Sequence, residues 1–303
     1  MYPVPFDYHR PSTIGEALEL LEHEGATLLA GGHSLLPALK RRAAECSLVV
    51  DVSAVADLQG IDIDHDDGVM TIGAAMTYSD LLTSPLVREH LPLLTDALEE
   101  IGDRQIRNRG TIGGNLVQAD LGADLPAVGL AMDAKLVLAG PEGTRTLDID
   151  DLYTAENARS VRGHPAPNAL ADEEIVTAIN VPLRAGAGAY QRKTHPATGY
   201  ALVGIAAHVH VASRGTIDEI RLGATGLTRR PIRLRPVERD LTNGSIDDAT
   251  LKKAADVVQS QLEETPIATD PNVSAAYRRM MAGQYTKSTI AEAVERTQGK
   301  DLA

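Results

Sequence analysis

Cysteine is nearly absent from this sequence: Cys46 is the single cysteine among 303 residues. One thiol cannot close an intramolecular disulfide, and by itself it cannot ligate an iron–sulfur cluster or a cysteine-rich zinc site. No other group of side chains in the sequence indicates a metal site, and no nucleophile–base pair stands out. If the protein carries out redox chemistry, an organic cofactor therefore has to carry the electrons.

Basic residues are also scarce. The sequence has seven lysines and 22 arginines but 42 acidic residues, which gives a net charge of −13. Such a chain would not neutralise the phosphates of a nucleic acid in bulk, which argues against nucleic-acid binding. No apolar run is long enough to span a bilayer, and the opening MYPVPFDYHRPS lacks the apolar core of a signal peptide. We expect a soluble, cytoplasmic protein with no transmembrane segment.

Hydrophobic residues make up 43% of the chain, which is enough for a hydrophobic core, and the length favours more than one domain. Near the start, Thr13 and Glu16 fit a capping box at the beginning of a helix. Strands at 26–30 and 48–52 then flank a helix near 35–43. This order predicts a small parallel βαβ unit.

The periodicity changes after this unit. Alternation of apolar and polar residues around Asp67-Gly68 predicts a β-hairpin. Helices are expected near 92–101 and 124–131, and a loop is expected over 155–172. A third region then has expected strands at 174–183, 189–194, 201–212 and 217–224, and expected helices at 247–263 and 272–295. The pattern as a whole predicts an α+β protein.

Two pairs of adjacent glycines are the most informative local feature. Residues 31–32 lie in AGGHS and residues 113–114 lie in TIGGN. Paired glycines permit positive φ and a close approach of the backbone, and their N–H groups can bind an anion. One such pair is more often an ordinary tight turn. Two pairs in different subdomains, with Ser34, Thr111 and Asn115 beside them, predict a clamp on a pyrophosphate that needs no lysine.

These turns do not fit the common nucleotide motifs. Neither is a P-loop, since no Gly-Lys-Ser/Thr follows, and neither is a Gly-x-Gly-x-x-Gly fingerprint. Nucleotide hydrolases and Rossmann dehydrogenases are therefore disfavoured.

AGGHS, TIGGN and their spacing resemble the FAD-binding medium subunit of molybdenum hydroxylases. This is the family of aerobic carbon monoxide dehydrogenase, whose flavin domain is shared with xanthine dehydrogenase. The resemblance covers about residues 1–285. It extends to FDYHRPSTIGEALELL, VVDVS, IGAAMTYSDLL, QIRNRGTIGGNLVQADLGADLPAV, INVPL, GYALVGIAAHV and GATGLTRRPIRLRPVE.

The resemblance implies a fold in three parts. An α+β, two-subdomain FAD-binding fold of the PCMH type would occupy 1–57 and 58–177. A C-terminal domain made of an antiparallel sheet plus helices would occupy 178–290.

The resemblance also implies which residues bind FAD. The stretch 29–35 would surround the pyrophosphate and the nearby ribose, and the stretch 111–115 would oppose it. The full set is Leu29, Ala30, Gly31, Gly32, His33, Ser34, Leu35, Gly73, Ala74, Ala75, Ile101, Thr111, Ile112, Gly113, Gly114, Asn115, Asp124, Ile175, Lys193 and Tyr200.

Several of these residues have specific expected roles. Ile101 would lie against the isoalloxazine, Tyr200 would lie over the flavin ring, and Asp124 would accept hydrogen bonds from FAD hydroxyls. Taken alone, Ile101 is expected to be a core residue. Asp124 alone would be a helix N-terminal carboxylate, a role compatible with a contact to FAD. YQRKTHPATG departs from the family's Tyr-x-Lys-x-x-x-Arg run, so either Arg192 or Lys193 takes the lysine position.

The resemblance implies an electron-transfer subunit without catalytic residues of its own. FAD would take electrons from an iron–sulfur centre and pass them on, with the metal centres on partner chains. Those partners are a large molybdopterin subunit and a small [2Fe-2S] subunit, arranged as a dimer of heterotrimers. Two alternatives stay open: a self-sufficient flavoenzyme that acts directly on a small molecule, and a flavin-free interaction protein that kept the fold.

Overall fold

The computed structural model describes residues 2–154, 169–212, 214–263, 265–268 and 273–300. Most of the loop expected over 155–172 lies outside the described residues. The chain forms two compact units. Unit 1 comprises Met1–Ser84, Gly102–Gln118 and Asp133–Pro182, and unit 2 comprises Pro85–Ile101, Ala119–Met132 and Leu183–Ala303.

Both units contain strands and helices. The strands are β1 (Asp7–His9), β2 (Ala26–Leu29), β3 (Leu48–Asp51), β4 (Ile61–Asp64), β5 (Val69–Gly73), β6 (Lys135–Gly140), β7 (Gly143–Asp148), β8 (Ile175–Pro182), β9 (Ala187–Thr194), β10 (Ala201–Val211), β11 (Ile217–Thr225) and β12 (Ile232–Arg233). The helices are α1 (Ile14–Leu21), α2 (Leu35–Arg41), α3 (Tyr78–Thr83), α4 (Pro85–His90), α5 (Pro92–Glu100), α6 (Arg104–Arg107), α7 (Ile112–Gln118), α8 (Leu125–Ala131), α9 (Ile149–Thr154), α10 (Arg235–Leu241), α11 (Asp248–Glu263) and α12 (Ala275–Lys300). Within the described residues, none of these helices has both the length and the hydropathy that a bilayer crossing needs.

The first sheet of unit 1 is a parallel three-stranded sheet with the order β1-β3-β2. It contains the predicted βαβ unit, with β1 added at the edge. Helix α1 buries Ala17 and Leu21 in the core beside this sheet. The Thr13 side chain accepts a hydrogen bond from the Glu16 amide. The Glu16 carboxylate binds the amide and hydroxyl of Ser12 instead of reaching back to Thr13, so half of the expected capping box forms.

The second sheet of unit 1 has five strands in the order β4-β5-β8-β6-β7, and every neighbouring pair is antiparallel. The predicted hairpin is β4–β5, whose turn is closed by amides of Asp66 and Asp67 that donate to Asp64 Oδ1. The strand expected at 174–183 was grouped with the third region, but as β8 it is the central strand of this sheet. A boundary at residue 177 would cut it, because its pairing is with β5 and β6.

Unit 2 is built on an antiparallel sheet with the order β12-β11-β10-β9. Its core joins Val203, Ile205 and Leu222 of the sheet to Val258 of α11 and Ile290 of α12. Helices α5 and α8, from the middle of the chain, belong to this unit as well.

Helix α8 packs directly on the sheet of unit 2. A Cβ at Gly223 of β11 would lie 2.0 Å from the Ala127 carbonyl oxygen, so the glycine permits this contact. Every residue of α8 is buried. The middle of the chain therefore supplies a helical layer to a sheet formed by later residues.

Candidate functional site

The AGGHS motif follows directly after strand β2. Gly32 has φ +80°, a conformation that favours glycine, and the chain then enters α2 with Ser34 at the N-cap position. Gly31 has a different reason to be glycine: a Cβ there would lie 2.1 Å from the carbonyl oxygen of Arg109. Among the described residues, no hydrogen bond within the chain uses the amide N–H groups of 31–34. These donors are left for solvent or a ligand.

The TIGGN motif differs from its expected conformation. Gly113 and Gly114 do not form a positive-φ turn; they lie in the first turn of helix α7. The helix begins here because Thr111 Oγ1 accepts a hydrogen bond from the Gly114 amide at 3.3 Å, three residues on, as an N-cap side chain does. Gly113 is required for space, since a Cβ would lie 2.8 Å from both Cβ and the carbonyl oxygen of Ala74.

The third predicted segment, 73–75, is bonded to TIGGN. The Gly113 amide donates to Ala74 O at 2.9 Å, and the Ile112 amide donates to Met76 O at 3.1 Å. A Cβ at Gly73 would lie 2.5 Å from the Leu58 carbonyl oxygen, so this segment also approaches another backbone closely. Unit 1 thus contains all three predicted segments, of which the sequence places 29–35 in the first subdomain and both 73–75 and 111–115 in the second.

Asn115 has one satisfied and one unsatisfied amide atom. Its Nδ2 donates to the Tyr78 hydroxyl at 2.8 Å. Its Oδ1 is buried and has no hydrogen-bond partner among the described residues. A buried acceptor without a partner is costly, and a ligand donor would remove that cost. Tyr78 was not expected from the sequence; its ring lies against Gly110, where a Cβ would be 2.3 Å away.

A cavity of about 230 Å³ opens beside these segments within unit 1. It is lined by Arg10, Ala30, Ser53, Gln59, Ala75, Thr77, Asp80, Asn108, Arg109 and Thr111. Three of the predicted residues, Ala30, Ala75 and Thr111, line it. The two arginines were missed, because nothing in the local sequence distinguishes them from other surface arginines.

Asp51, at the end of β3, is hydrogen-bonded to Ser53, one of the residues that line this cavity. Tyr8 donates its hydroxyl to Asp51 Oδ2 at 2.6 Å, and the Ser53 amide donates to Oδ1 at 3.0 Å. Burial acts to raise the pKa of Asp51, but the hydrogen bonds from Ser53 and Tyr8 outweigh it, and the pKa is lowered. The carboxylate is therefore charged and committed to internal donors.

Asp124, in unit 2, is buried at the start of α8. Its carboxylate accepts from the Tyr190 hydroxyl at 2.6 Å and from Arg192 Nη1 at 2.9 Å. It makes no N-cap hydrogen bond. Burial raises the pKa of Asp124, while the charge of Arg192 and the Tyr190 hydroxyl act in the opposite direction. The carboxylate already has protein partners on both oxygens.

Arg192 is fully engaged inside unit 2. Besides Asp124, its guanidinium contacts the Glu100 carboxylate at 3.1 Å and the Glu100 carbonyl. Alternation along β9 places Lys193 on the opposite face, with Gln191. Of the two alternatives for the family lysine, Arg192 has its hydrogen-bonding capacity occupied by these internal partners.

The remaining predicted residues differ in exposure. In unit 2, Ile101 is buried at the end of α5 and Tyr200 is 62% exposed. Tyr200 lies in a turn where the His195 amide donates to its carbonyl at 2.8 Å. A Cβ at Gly122 would lie 2.8 Å from Tyr200 Cβ, so Gly122 makes room for it. In unit 1, Ile175 is part of a hydrophobic core cluster.

Two family matches cover most of the chain. Residues 4–184 match the FAD binding domain in molybdopterin dehydrogenase, and residues 188–293 match the CO dehydrogenase flavoprotein C-terminal domain. The carbon monoxide dehydrogenase medium chain of Hydrogenophaga pseudoflava is 35% identical over 96% of this chain and 97% of its own length. The xanthine dehydrogenase FAD-binding subunit of Escherichia coli O157:H7 is 30% identical over 97% of both chains.

Solved structures agree with the sequence matches. A carbon monoxide dehydrogenase from Hydrogenophaga pseudoflava that lacks the Mo-pyranopterin moiety superposes with a TM-score of 0.89 and 34% identity, covering 98% of this chain and 99% of that chain. Quinoline 2-oxidoreductase from Pseudomonas putida 86 gives a TM-score of 0.87 at 26% identity, with 98% and 99% covered.

The fold and the two family matches define an FAD-binding oxidoreductase subunit. The chain belongs to the family of FAD-binding medium subunits of molybdenum hydroxylases, of the carbon monoxide dehydrogenase and xanthine dehydrogenase type. The fold class and the cofactor implied by the sequence resemblance are confirmed.

Proposed function

We propose that this protein relays electrons through FAD, from a partner iron–sulfur subunit to an external acceptor, inside a molybdenum hydroxylase complex. The observation that carries the proposal is the group of glycine contacts in unit 1, at residues 31, 73 and 113, where a side chain would collide with a neighbouring backbone. These contacts hold the predicted phosphate-binding segments tightly against neighbouring backbone, so that the amide N–H groups of 31–34, which have no internal acceptor among the described residues, are presented together to one ligand.

The residues of unit 1 fit the diphosphate of FAD. The amides of 31–34 have no internal acceptor among the described residues, and backbone N–H groups of this kind bind phosphate oxygens. The unpartnered Asn115 Oδ1 fits a donor on the cofactor. When bound, FAD supplies the redox chemistry, because it takes electrons singly and releases them as a pair. The protein's own contribution is to bind and orient the cofactor.

The other site residues stay proposals. We assign 29–35 and 111–115 to the phosphates and 73–75 to the lining of the cofactor. The resemblance assigns Ile101, Asp124, Lys193 and Tyr200 of unit 2, together with Ile175 of unit 1, to the same cofactor. The engagement of Arg192 with Asp124 favours Lys193 for the lysine position. We assign no catalytic residue.

The proposed partners are a large molybdopterin subunit and a small [2Fe-2S] subunit, assembled as a dimer of heterotrimers in the cytoplasm. Relatives are described as medium chains, as a medium subunit, or as a subunit of a dehydrogenase complex, which supports a multi-subunit assembly. A chain with one cysteine cannot itself hold the donor cluster. The three-domain division at 1–57, 58–177 and 178–290 is likewise proposed, and the pairing of β8 favours moving its second boundary beyond Pro182.

The test uses the purified, flavin-loaded chain. Dithionite should bleach the flavin absorbance, while carbon monoxide, xanthine and simple aldehydes, offered separately, should leave it unchanged. Addition of the two partner subunits should allow one of these substrates to bleach it. Bleaching by a substrate in the isolated chain would contradict the relay and favour a self-sufficient flavoenzyme. A purified chain that holds no flavin would favour the interaction protein.

A further inference from the structure

Arg109 lies at the cavity of unit 1 and has no carboxylate partner among the residues that the structure describes. It lines the cavity together with Ala30 and Thr111, one residue from each phosphate-binding motif. The ion pairs among the described residues do not include Arg109.

The carboxylate that lines the cavity and the carboxylate bonded to its wall have other partners. Asp51 accepts from Tyr8 and Ser53, and its field is offset by Arg10. Asp80, which also lines the cavity, accepts from the amide and hydroxyl of Thr77 in a complete capping box at the start of α3. These carboxylates serve local structure, and the guanidinium of Arg109 is left for a ligand.

Backbone contacts fix the position of the Arg109 main chain, from which its side chain extends. Because the carbonyl of Arg109 packs against the Cα of Gly31, residue 109 lies directly beside the AGGHS turn. The Gly110 carbonyl is held by the Tyr78 amide at 3.0 Å, which secures the following residue. The side chain therefore starts next to the unbonded amides of 31–34.

Because the protein is strongly acidic, a cationic side chain such as Arg109 would favour the binding of an anionic ligand. The chain carries a net charge of −13, and neither glycine motif contains a lysine. A diphosphate carries two negative charges and is repelled by the negative net charge of the protein. Backbone amides attract it only through their partial charges. A guanidinium can form two parallel hydrogen bonds with phosphate oxygens.

We propose that Arg109 is the charge partner of the cofactor's diphosphate and makes the site selective for FAD over an uncharged flavin. This inference rests on the proposed function. Arg109 touches the cofactor in this role, and the amides of AGGHS fix the register of the phosphates.

The experiment titrates the apoprotein with FAD and follows the quenching of flavin fluorescence at several NaCl concentrations. The wild-type Kd should rise with salt, because salt screens the ion pair. Arg109→Gln should weaken FAD binding about tenfold, the effect of losing one solvent-accessible charge-assisted contact, and should flatten the salt dependence. Arg109→Lys should keep the salt dependence with intermediate affinity. The preference for FAD over riboflavin, measured as the ratio of the two Kd values, should fall by the same factor in Arg109→Gln, because riboflavin has no diphosphate.

Arg104→Gln is the matched control. Arg104 is exposed at the start of α6, five residues earlier, and does not line the cavity. The Arg104→Gln variant should bind FAD as the wild type does. Circular dichroism should show that Arg104→Gln and Arg109→Gln are both folded. Wild-type affinity and salt dependence in Arg109→Gln would overturn the inference while leaving the proposed function intact. A wild-type chain that binds no FAD would overturn both.

Discussion

At Gly31 and Gly113 a single methyl group would collide with the backbone of another segment of unit 1, whereas Gly32 is glycine because of its positive φ. The first two contacts hold the phosphate-binding motifs against their neighbours. The positive φ of Gly32 turns the chain from β2 towards α2. The same residue type therefore meets two different physical requirements within one site.

Gly31→Ala tests the close approach. The added Cβ would lie 2.1 Å from the Arg109 carbonyl oxygen, so the two segments have to separate. We expect a loss of about 1–3 kcal/mol in the free energy of unfolding, typical of overpacking, together with low FAD content. Gly15→Ala is the control, since its Cβ meets nothing closer than 3.9 Å within helix α1. Urea denaturation and flavin absorbance measure both effects; equal values for the two variants would contradict the argument.

Tyr8→Phe tests the electrostatics of Asp51. The hydrogen bonds from Ser53 and Tyr8 lower the pKa of Asp51 against the effect of burial, so the stability that they confer is present above the ordinary carboxyl pKa of 3.8. It is lost as the pH falls through the lower folded-state value. Tyr8→Phe should raise the pKa of Asp51 in a carboxyl NMR titration. The wild-type and variant stabilities should differ at neutral pH and converge in acid. An unchanged Asp51 titration would show that the hydroxyl has no such effect.

Some individual residues of the candidate site were predicted from the sequence. Ala30, Thr111 and Ala75 were expected and line the cavity, because glycine-rich motifs are recognisable locally. Arg109 and Tyr78 were missed, since each acquires its role through a contact with a residue far away in the chain. The helical state of Gly113 was also missed, because two glycines favour a turn in any local reading.

At the scale of elements, α5, α8 and β9 of unit 2 are joined by one buried polar network. Arg192 on β9 binds Asp124 at the start of α8 and Glu100 at the end of α5. The side chains of Arg192 and Asp124 are 8% and 5% exposed. A charge at this depth needs its partner, because it has lost most of its hydration.

Arg192→Met should therefore destabilise unit 2 by about 3 kcal/mol or more, since Asp124 is left buried without its cation. Adding Asp124→Asn should recover part of the loss. Lys135→Gln is the control: it removes an ion pair with Asp148 whose side chains are 51% and 58% exposed, and it should change stability by less than about 1 kcal/mol. Urea denaturation followed by circular dichroism measures all of these variants. Similar losses in Arg192→Met and Lys135→Gln would show that the network is not stabilising.

Elements with strong local patterns were predicted well. The βαβ unit, the hairpin at Asp67-Gly68 and the antiparallel strands β9–β11 all have clear periodicity. The position of β8 and the packing of α5 and α8 on the sheet of unit 2 were not predictable. These depend on pairing between segments that are distant in sequence, and no periodicity within a segment encodes its partner.

For the molecule as a whole, FAD binding should act as a stabilising ligand. A ligand that binds only the folded state, and whose free concentration is one hundred times its Kd, adds about 2.7 kcal/mol to the free energy of unfolding. The Tm of the apoprotein should therefore rise with added FAD, and riboflavin should have a smaller effect. Acid precipitation should release free FAD, because the single cysteine lies outside both glycine motifs and His33 of AGGHS is assigned to the diphosphate, away from the isoalloxazine. Flavin that stays with the precipitate would show a covalent link.

The alternation of the two units along the chain has a consequence for how the protein is made. Three segments of each unit alternate, so the polypeptide changes unit five times. On the ribosome, the apolar helix α8 emerges before β11, the strand against which it packs. Packing of α8 therefore has to wait until β11 has been synthesised, and completion of the core of unit 2 has to wait for Ile290 of α12. For the same reason, a gene split at residue 182 would leave 85–101 and 119–132 on the fragment that lacks their sheet.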